Sequence, residues 1–115
     1  MKNCSILRNN MVLFSEIKVA DRFFTRLVGL IKTAGLDENQ GLLLKKCNQV
    51  HTFGMKFPID VIFLSKDGDI LHMEQEMGPG KVSPHVKKAY WVLELKSGSG
   101  IRFKLEINQR LVIRQ

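Results

Sequence analysis

Three side chains suited to nucleophilic or acid–base chemistry lie near the middle of the chain. Cys47 stands four positions before His51, and Asp60 follows nine positions later. Nucleophilic catalysis needs a nucleophile, a base and a third group that orients the base, and these residue types supply all three. Residues four apart face each other on a helix but not on a strand, so the spacing alone does not assemble a site. Asp60, His51 and Cys47 are therefore candidate catalytic residues of a hydrolase or transferase, with or without the thiol, and the sequence leaves open whether the protein is an enzyme.

Asp60 is the most informative of the three because it is the second residue of a strongly apolar stretch, Ile-Asp-Val-Ile-Phe-Leu at 59–64. A carboxylate buried in a central strand is costly unless it is compensated by hydrogen bonds or charge. The simplest expectation is that Asp60 accepts backbone N–H groups from residues 53–57 and locks that turn. A ligand-contacting or catalytic role is the alternative.

Residues around this stretch also favour a binding pocket. Methionine and aromatic side chains line adaptable apolar pockets, although they are equally typical of a packed core. The residues expected to form the pocket are His51, Thr52, Phe53, Met55, Asp60 and Trp91. The leading hypothesis is a non-enzymatic binding module with its pocket around the loop and strand at 51–60. Its partner would be a small ligand or a protein segment.

A net charge of +7 raises a third hypothesis, nucleic-acid binding. Positive charge gathers without neighbouring acids only at 81–88, which gives the candidate residues Lys81, His85, Lys87 and Lys88. Arg102 and Lys104 would extend this surface. No aromatic residues are interleaved with these basic positions, however, so a solvated basic loop explains them as well.

No pattern for a metal or a cofactor is present. The three histidines, His51, His72 and His85, lack ligand spacing, and two cysteines 43 positions apart make no zinc motif. Phosphate-binding loops and dinucleotide fingerprints are absent. We expect neither a metal nor a cofactor.

The composition is that of a globular protein, with 44% hydrophobic residues among 115. This length predicts one domain covering 1–115. No apolar run approaches the roughly 20 residues of a membrane span, and the first residues do not resemble a signal peptide. We therefore expect a cytoplasmic protein with reduced thiols, and the oligomeric state stays open.

Hydrophobic periodicity predicts one main helix at about residues 20–32 among several strands. Extended segments are expected at 11–19, 41–44, 59–64, 70–77, 89–95 and 111–113. Asp67-Gly68 predicts a tight hairpin between the third and fourth of these strands. The fold class is α+β, predominantly β: a small, curled, mostly antiparallel sheet, barrel-like or sandwich-like, with the helix packed on it.

The order and spacing of many of these residues resemble the domain of unknown function 192 family. The matching residues are Gly29-Leu30, Gly41 to Leu44, His51 to Met55, Pro58 to Val61, Phe63-Leu64, Gly68, Ala89, Val92 to Leu95 and Gly98. The resemblance implies a compact, mostly β domain with one helix and no agreed activity. It also implies a helical turn at 99–104, whereas the alternation at 101–107 favours a strand. Asn108-Gln109 departs from the Gly-Asp that relatives carry before the last strand, which puts that turn's geometry in doubt.

Overall fold

Seven strands form one sheet that curls into a half-barrel. The computed structural model describes residues 2–21 and 35–115. In chain order the elements are β1 (Asn3–Arg8), β2 (Met11–Asp21), β3 (Gln40–Lys45), β4 (Ile59–Leu64), β5 (Ile70–Met77), β6 (Trp91–Lys96), α1 (Ser99–Arg102) and β7 (Val112–Arg114). The predominantly β fold class predicted from the sequence is confirmed.

The strands lie side by side in the order β5-β4-β6-β3-β2-β1-β7. Every neighbouring pair is antiparallel except β2 and β3, which are parallel. Antiparallel strands can be joined by a tight turn but a parallel pair cannot, and the sequence accordingly separates β2, which ends at Asp21, from β3, which begins at Gln40. β2 continues through Ala20 and Asp21, so the first two positions of the predicted helix are strand. The rest of that predicted helix, 22–32, lies outside the described residues.

β4 is an internal strand buried on both faces, as its apolar sequence predicts. Because side chains alternate along a strand, Ile62 and Leu64 enter one hydrophobic core while Val61 and Phe63 enter another. We call the core that contains Ile62 the first core and the one that contains Val61 the second core. They occupy opposite faces of the sheet, and any residue of β4 therefore belongs to one side or the other.

Two hairpins depend on residues that accept a left-handed backbone. The predicted hairpin between β4 and β5 is confirmed, with Gly68 at φ +96°. β1 and β2 form a second hairpin whose turn contains Asn9 and Asn10, at φ 52° and 64°. Two positive φ values suit the hairpin turns whose twist matches the strands, and Asn tolerates them. Strand β1 was missed in the sequence, although this Asn pair was its signal.

Residues 99–107 do not form the strand that their alternation favours. They form α1 and a following turn, as the family resemblance implies. Leu105 is buried in the first core, but Ile101 and Ile107 are 66% and 46% exposed. The regular alternation therefore does not correspond to a regular pattern of burial, and of the two alternatives the helical turn is the one observed.

Candidate functional site

Asp60 is fully buried and joins two distant parts of the chain. Its Oδ1 accepts the backbone N–H of Glu76 at 2.8 Å, and its Oδ2 accepts the backbone N–H of Gly100 at 2.8 Å. A carboxylate that accepts two backbone N–H groups has the compensation that its burial requires. The prediction that Asp60 accepts backbone amides was right, but the expected donors at 53–57 were wrong, because the Asp60 side chain faces the first core.

The Glu76 amide is available because β5 is irregular at this point. Between the pairs Ile59–Met77 and Val61–Glu74, β4 has only Asp60 whereas β5 has two residues. Such a β-bulge takes a backbone N–H out of the regular ladder. Glu76 also has a left-handed backbone, at φ 51°. The Asp60 carboxylate therefore accepts the Glu76 N–H group in place of the backbone acceptor that a regular strand pair would supply.

The segments 46–56 and 78–90 run antiparallel and are joined by hydrogen bonds; we call this pair the two-loop ladder. Its backbone bonds include Cys47 N–H to Tyr90 O, Val86 N–H to Asn48 O, Ser83 N–H to Val50 O and Thr52 N–H to Lys81 O, all at 2.8 to 3.0 Å. Cys47, Val50 and Met55 belong to the second core, so the ladder packs on the face of the sheet opposite to Asp60.

Thr52 fixes one end of the two-loop ladder. Its side chain is buried, donates its hydroxyl proton to Gly78 O at 2.6 Å, and accepts the N–H of Lys81 at 2.9 Å. Its carbonyl oxygen accepts the N–H groups of Met55 and Gly80. One threonine thus sets the path of both segments at the positions where their turns begin.

A concave pocket of about 190 Å³ lies beside the ladder. Its lining residues are Leu44, Lys46, Cys47, Asn48, Gln49, Val50, His51 and Glu94. The side chains of Lys46 and His51 are exposed, whereas Glu94 is only 6% exposed. The pocket therefore combines a carboxylate at its base with basic groups at its rim. Convergent polar groups in a concave site are typical of small-ligand binding.

Sequence reasoning missed two charged residues of this pocket, Lys46 and Glu94, and only Glu94 had a signal in the sequence. On β6 it stands between Leu42 of β3 and Val61 of β4, on the face of the second core. In the sequence it read only as one member of an alternating strand. The available signal was its place in a short run with Val92, Leu93 and Leu95, because an acid in a strand with apolar residues on both faces must be buried.

Cys47 and His51 line the same pocket, but each is engaged elsewhere. The Cys47 thiol donates to Gln49 O at 3.3 Å. His51 Nδ1 accepts the N–H of Phe53 at 3.3 Å, and the two rings stack with centroids 4.6 Å apart. Cys47 and Cys4 form no disulfide with each other, because they are buried in cores on opposite faces of the sheet.

The structure distributes the predicted pocket residues over both faces. Met55 packs in the second core, whereas Asp60 faces the first core and Trp91 packs against it. Trp91 pairs with Leu64, at the opposite end of β4 from Asp60. A strand rises about 3.3 Å per residue, so Asp60 and Leu64 lie about 13 Å apart along β4. His51, Thr52 and Phe53 remain together in the two-loop ladder, away from Asp60.

The predicted basic residues divide in a similar way. Lys81, His85, Lys87 and Lys88 are exposed and belong to the two-loop ladder. Arg102 is instead the last residue of α1 and forms an ion pair with Glu38. The hydrogen bond and charge of Arg102 lower the pKa of the Glu38 carboxyl. Arg102 is therefore already occupied by an acid of the same chain.

Within residues 2–21 and 35–115, no three His, Cys, Asp or Glu side chains are arranged to hold a metal ion. His72 and Glu74 on β5 approach to 3.6 Å, without a third ligand. In the same part of the chain, no helix has the length and apolar character needed to cross a membrane.

The architecture is that of a small β domain built on one curled sheet, with a pocket formed between a loop and two of its strands. The chain belongs to the domain of unknown function 192 family, described as uncharacterized ACR, whose sequence pattern matches residues 5–113. The family resemblance in the sequence is thereby confirmed. No functionally curated protein matches the chain.

Two crystal structures share the fold. One is a protein of unknown function from Novosphingobium aromaticivorans, with a TM-score of 0.77 and 15% identity over 96% of this chain and 83% of that one. The other is a "putative transcription regulator" from Sinorhizobium meliloti, with a TM-score of 0.75 and 19% identity over 96% of this chain and 92% of that one. At these identities the similarity establishes a common fold and does not extend to a common activity.

Proposed function

We propose that the protein is a binding module whose site is the pocket between the two-loop ladder and Glu94. The observation that carries the proposal is that one pocket is lined by the nearly buried carboxylate of Glu94 and by the exposed side chains of Lys46 and His51. Compared with the roughly 300–1,000 Å³ of pockets for drug-sized ligands, a volume of about 190 Å³ suits a much smaller molecule or a single side chain of a protein segment.

The charges of the pocket indicate the kind of ligand. A carboxylate at the base favours a protonated amine or another hydrogen-bond donor, and a basic rim favours an acidic group. A small zwitterion such as an amino acid carries both groups a few bonds apart. We therefore propose a small zwitterionic ligand, oriented with its amine toward Glu94 and its acidic group toward Lys46 and His51.

Binding without catalysis is supported by how the candidate catalytic groups are used. The Cys47 thiol donates to a backbone carbonyl, and the Asp60 carboxylate is enclosed on the other face of the sheet. A thiol enzyme requires the thiol and its base within hydrogen-bond reach. The cytoplasmic location and the single-domain organisation expected from the sequence stay predictions.

The proposal is tested by calorimetric titration with three matched probes: alanine, ethylamine and propionate. Alanine should bind more tightly than either, because only it carries both charged groups. Loss of one charge-assisted hydrogen bond corresponds to about a 10- to 100-fold weaker affinity. Glu94→Gln should therefore weaken binding of alanine and ethylamine, and Lys46→Gln should weaken binding of alanine and propionate.

Glu74→Gln is the matched control. It removes a carboxylate on the neighbouring strand, paired with the same Val61 as Glu94, but outside the pocket. It should leave all three affinities unchanged. Absence of alanine binding to the wild-type protein, or equal losses in Glu94→Gln and Glu74→Gln, would refute the proposed site.

A further inference from the structure

The two-loop ladder brings together basic residues that are far apart in the chain. Its two segments, 46–56 and 78–90, contain five lysines and two histidines and no aspartate or glutamate. All seven of these side chains are exposed: Lys46, His51, Lys56, Lys81, His85, Lys87 and Lys88. Because hydrogen bonds hold the segments side by side, the five lysine charges gather in one ladder rather than in two separate loops. Such a concentration of positive charge attracts a polyanion.

The same surface presents an aromatic platform. Phe53 is 51% exposed, and the His51 ring stacks on it with an interplanar angle of 26°. Thr52, between them, is bonded to Lys81, so the stacked rings adjoin the lysine-rich segment. Aromatic residues are not interleaved with the basic residues at 81–88 in the chain; the ladder brings Phe53 and His51 beside them by pairing one segment with the other.

We propose that the two-loop ladder binds single-stranded nucleic acid, with Lys81, Lys87 and Lys88 contacting phosphates and Phe53 stacking on a base. Non-sequence-specific single-strand binding combines a basic track for the backbone with exposed aromatic rings for the bases. The surface is made of loops and offers no helix to enter a duplex groove. The proposed phosphate and base contacts, Lys81, Lys87, Lys88 and Phe53, lie outside the lining of the ligand pocket, although Lys46 and His51 belong to both surfaces.

An anionic membrane is the competing partner for a basic surface with an exposed Phe. Membrane insertion depends on apolar area, which Leu supplies about as well as Phe. Base stacking depends on a flat ring, which Leu lacks. Phe53→Leu therefore separates the two partners, and Phe53→Trp keeps the ring for both.

The test is fluorescence anisotropy of labelled oligo(dT) of about 12 nucleotides, a length within the roughly 4–16 that such surfaces cover. Affinity should fall linearly with salt on logarithmic axes, with a slope of about 0.7 for each phosphate contact on a single strand. Replacing Lys81, Lys87 and Lys88 together by Ala should reduce that slope by about 2. Phe53→Ala and Phe53→Leu should each weaken binding about 5- to 150-fold, whereas Phe53→Trp should preserve it.

The charge control replaces Lys2, Lys18 and Lys96 by Ala. These lysines are also exposed but lie outside the two-loop ladder, so the salt slope should stay unchanged. Circular dichroism of every variant verifies that it is folded. Either of two results with oligo(dT) would overturn the proposal: no binding at low salt, or an equal loss of salt slope in the two triple variants. The proposal would also fail if the protein preferred phosphatidylglycerol vesicles to oligo(dT) and the Phe53→Leu variant still bound the vesicles.

Discussion

The carboxylate of Asp60 accepts the backbone N–H of Gly100 at 2.8 Å across 40 positions of sequence. The space around Gly100 is limited as well, since a Cβ there would lie 3.2 Å from Asp60 Oδ2 and 3.1 Å from Gln75 Nε2. A backbone without a side chain can therefore approach the buried acid closely. This contact, together with the one to Glu76, makes Asp60 a junction between β4, the bulge of β5 and the start of α1.

Asp60→Asn should lower the free energy of unfolding by about 1–3 kcal/mol, because the amide nitrogen cannot accept one of the two backbone N–H groups and leaves it unsatisfied. Asp60→Ala should cost about twice as much, since both groups then lose their acceptor. Urea denaturation measures these differences. Asp69→Asn is the control: Asp69 forms an exposed ion pair with Arg110, whose loss should cost far less stability because solvent screens the two charges. Similar losses for Asp60→Asn and Asp69→Asn would contradict the junction role.

Thr52→Val should destabilise the two-loop ladder, because the methyl group that replaces the hydroxyl neither donates to Gly78 O nor accepts from Lys81 N–H. The expected loss is about 1–3 kcal/mol. Thr52→Ser keeps the hydroxyl and should lose less than Thr52→Val. Hydrogen exchange at the Lys81 amide gives a local measurement. If the Lys81 amide exchanged as slowly in Thr52→Val as in the wild type, the Thr52 hydroxyl would not stabilise the two-loop ladder.

Gly68→Ala should be far more damaging than Gly80→Ala, although both glycines have a positive φ, of 96° and 73°. At Gly80 an added Cβ meets no atom within 4 Å, so only the left-handed backbone is penalised, by about 1–2 kcal/mol. At Gly68 the Cβ would lie 2.1 Å from the carbonyl oxygen of Leu111. Backbone must then move, which we expect to raise the loss to about 3 kcal/mol or more. Thermal and urea unfolding of the two variants should show this difference; its absence would mean that the backbone at Leu111 moves away easily.

Stability should fall in alkaline solution partly through Cys4. Burial in the first core raises the pKa of the Cys4 thiol from 9.0 to about 11. The unfolded chain therefore loses this proton first, so the contribution is zero below about pH 9 and increasingly unfavourable as the pH rises toward 11. At most about 3 kcal/mol is involved. The stability difference between wild type and Cys4→Ala should shrink over this range; a constant difference would show that the thiol ionises without hindrance in the folded protein.

The parts of the fold that the sequence predicts correctly are those determined by local residues. Ile59–Leu64 is apolar on both faces, and the central strand follows from that; Asp67-Gly68 predicts the hairpin because few other residue pairs accept the turn. The sequence also predicts that the buried Asp60 carboxylate needs hydrogen-bond donors, and it has them. Its partners were not predictable, because a bulge 16 positions away and a helix start 40 positions away are matters of tertiary packing.

The candidate site was less predictable for the same reason. His51 and Asp60 are close in sequence but on opposite sides of the sheet, whereas Glu94 and Cys47 are distant in sequence and line one pocket. The pairing of segment 46–56 with segment 78–90 was not predictable either, because it depends on backbone hydrogen bonds between segments that are distant in the sequence. Asn108 adopts φ 75°, so the turn that seemed doubtful without Gly is made by an Asn in the left-handed conformation.

The bulge that Asp60 stabilises also alters what the sheet offers to other molecules. β5 and β7 are its outer strands. A straight outer strand with unpaired N–H and C=O groups is a template for intermolecular strand addition, the first step toward fibrils. Here one such strand is kinked at Gln75 and Glu76, and the other has only three residues. By holding the kink in place, a buried acid helps to protect a basic, strand-rich protein against aggregation.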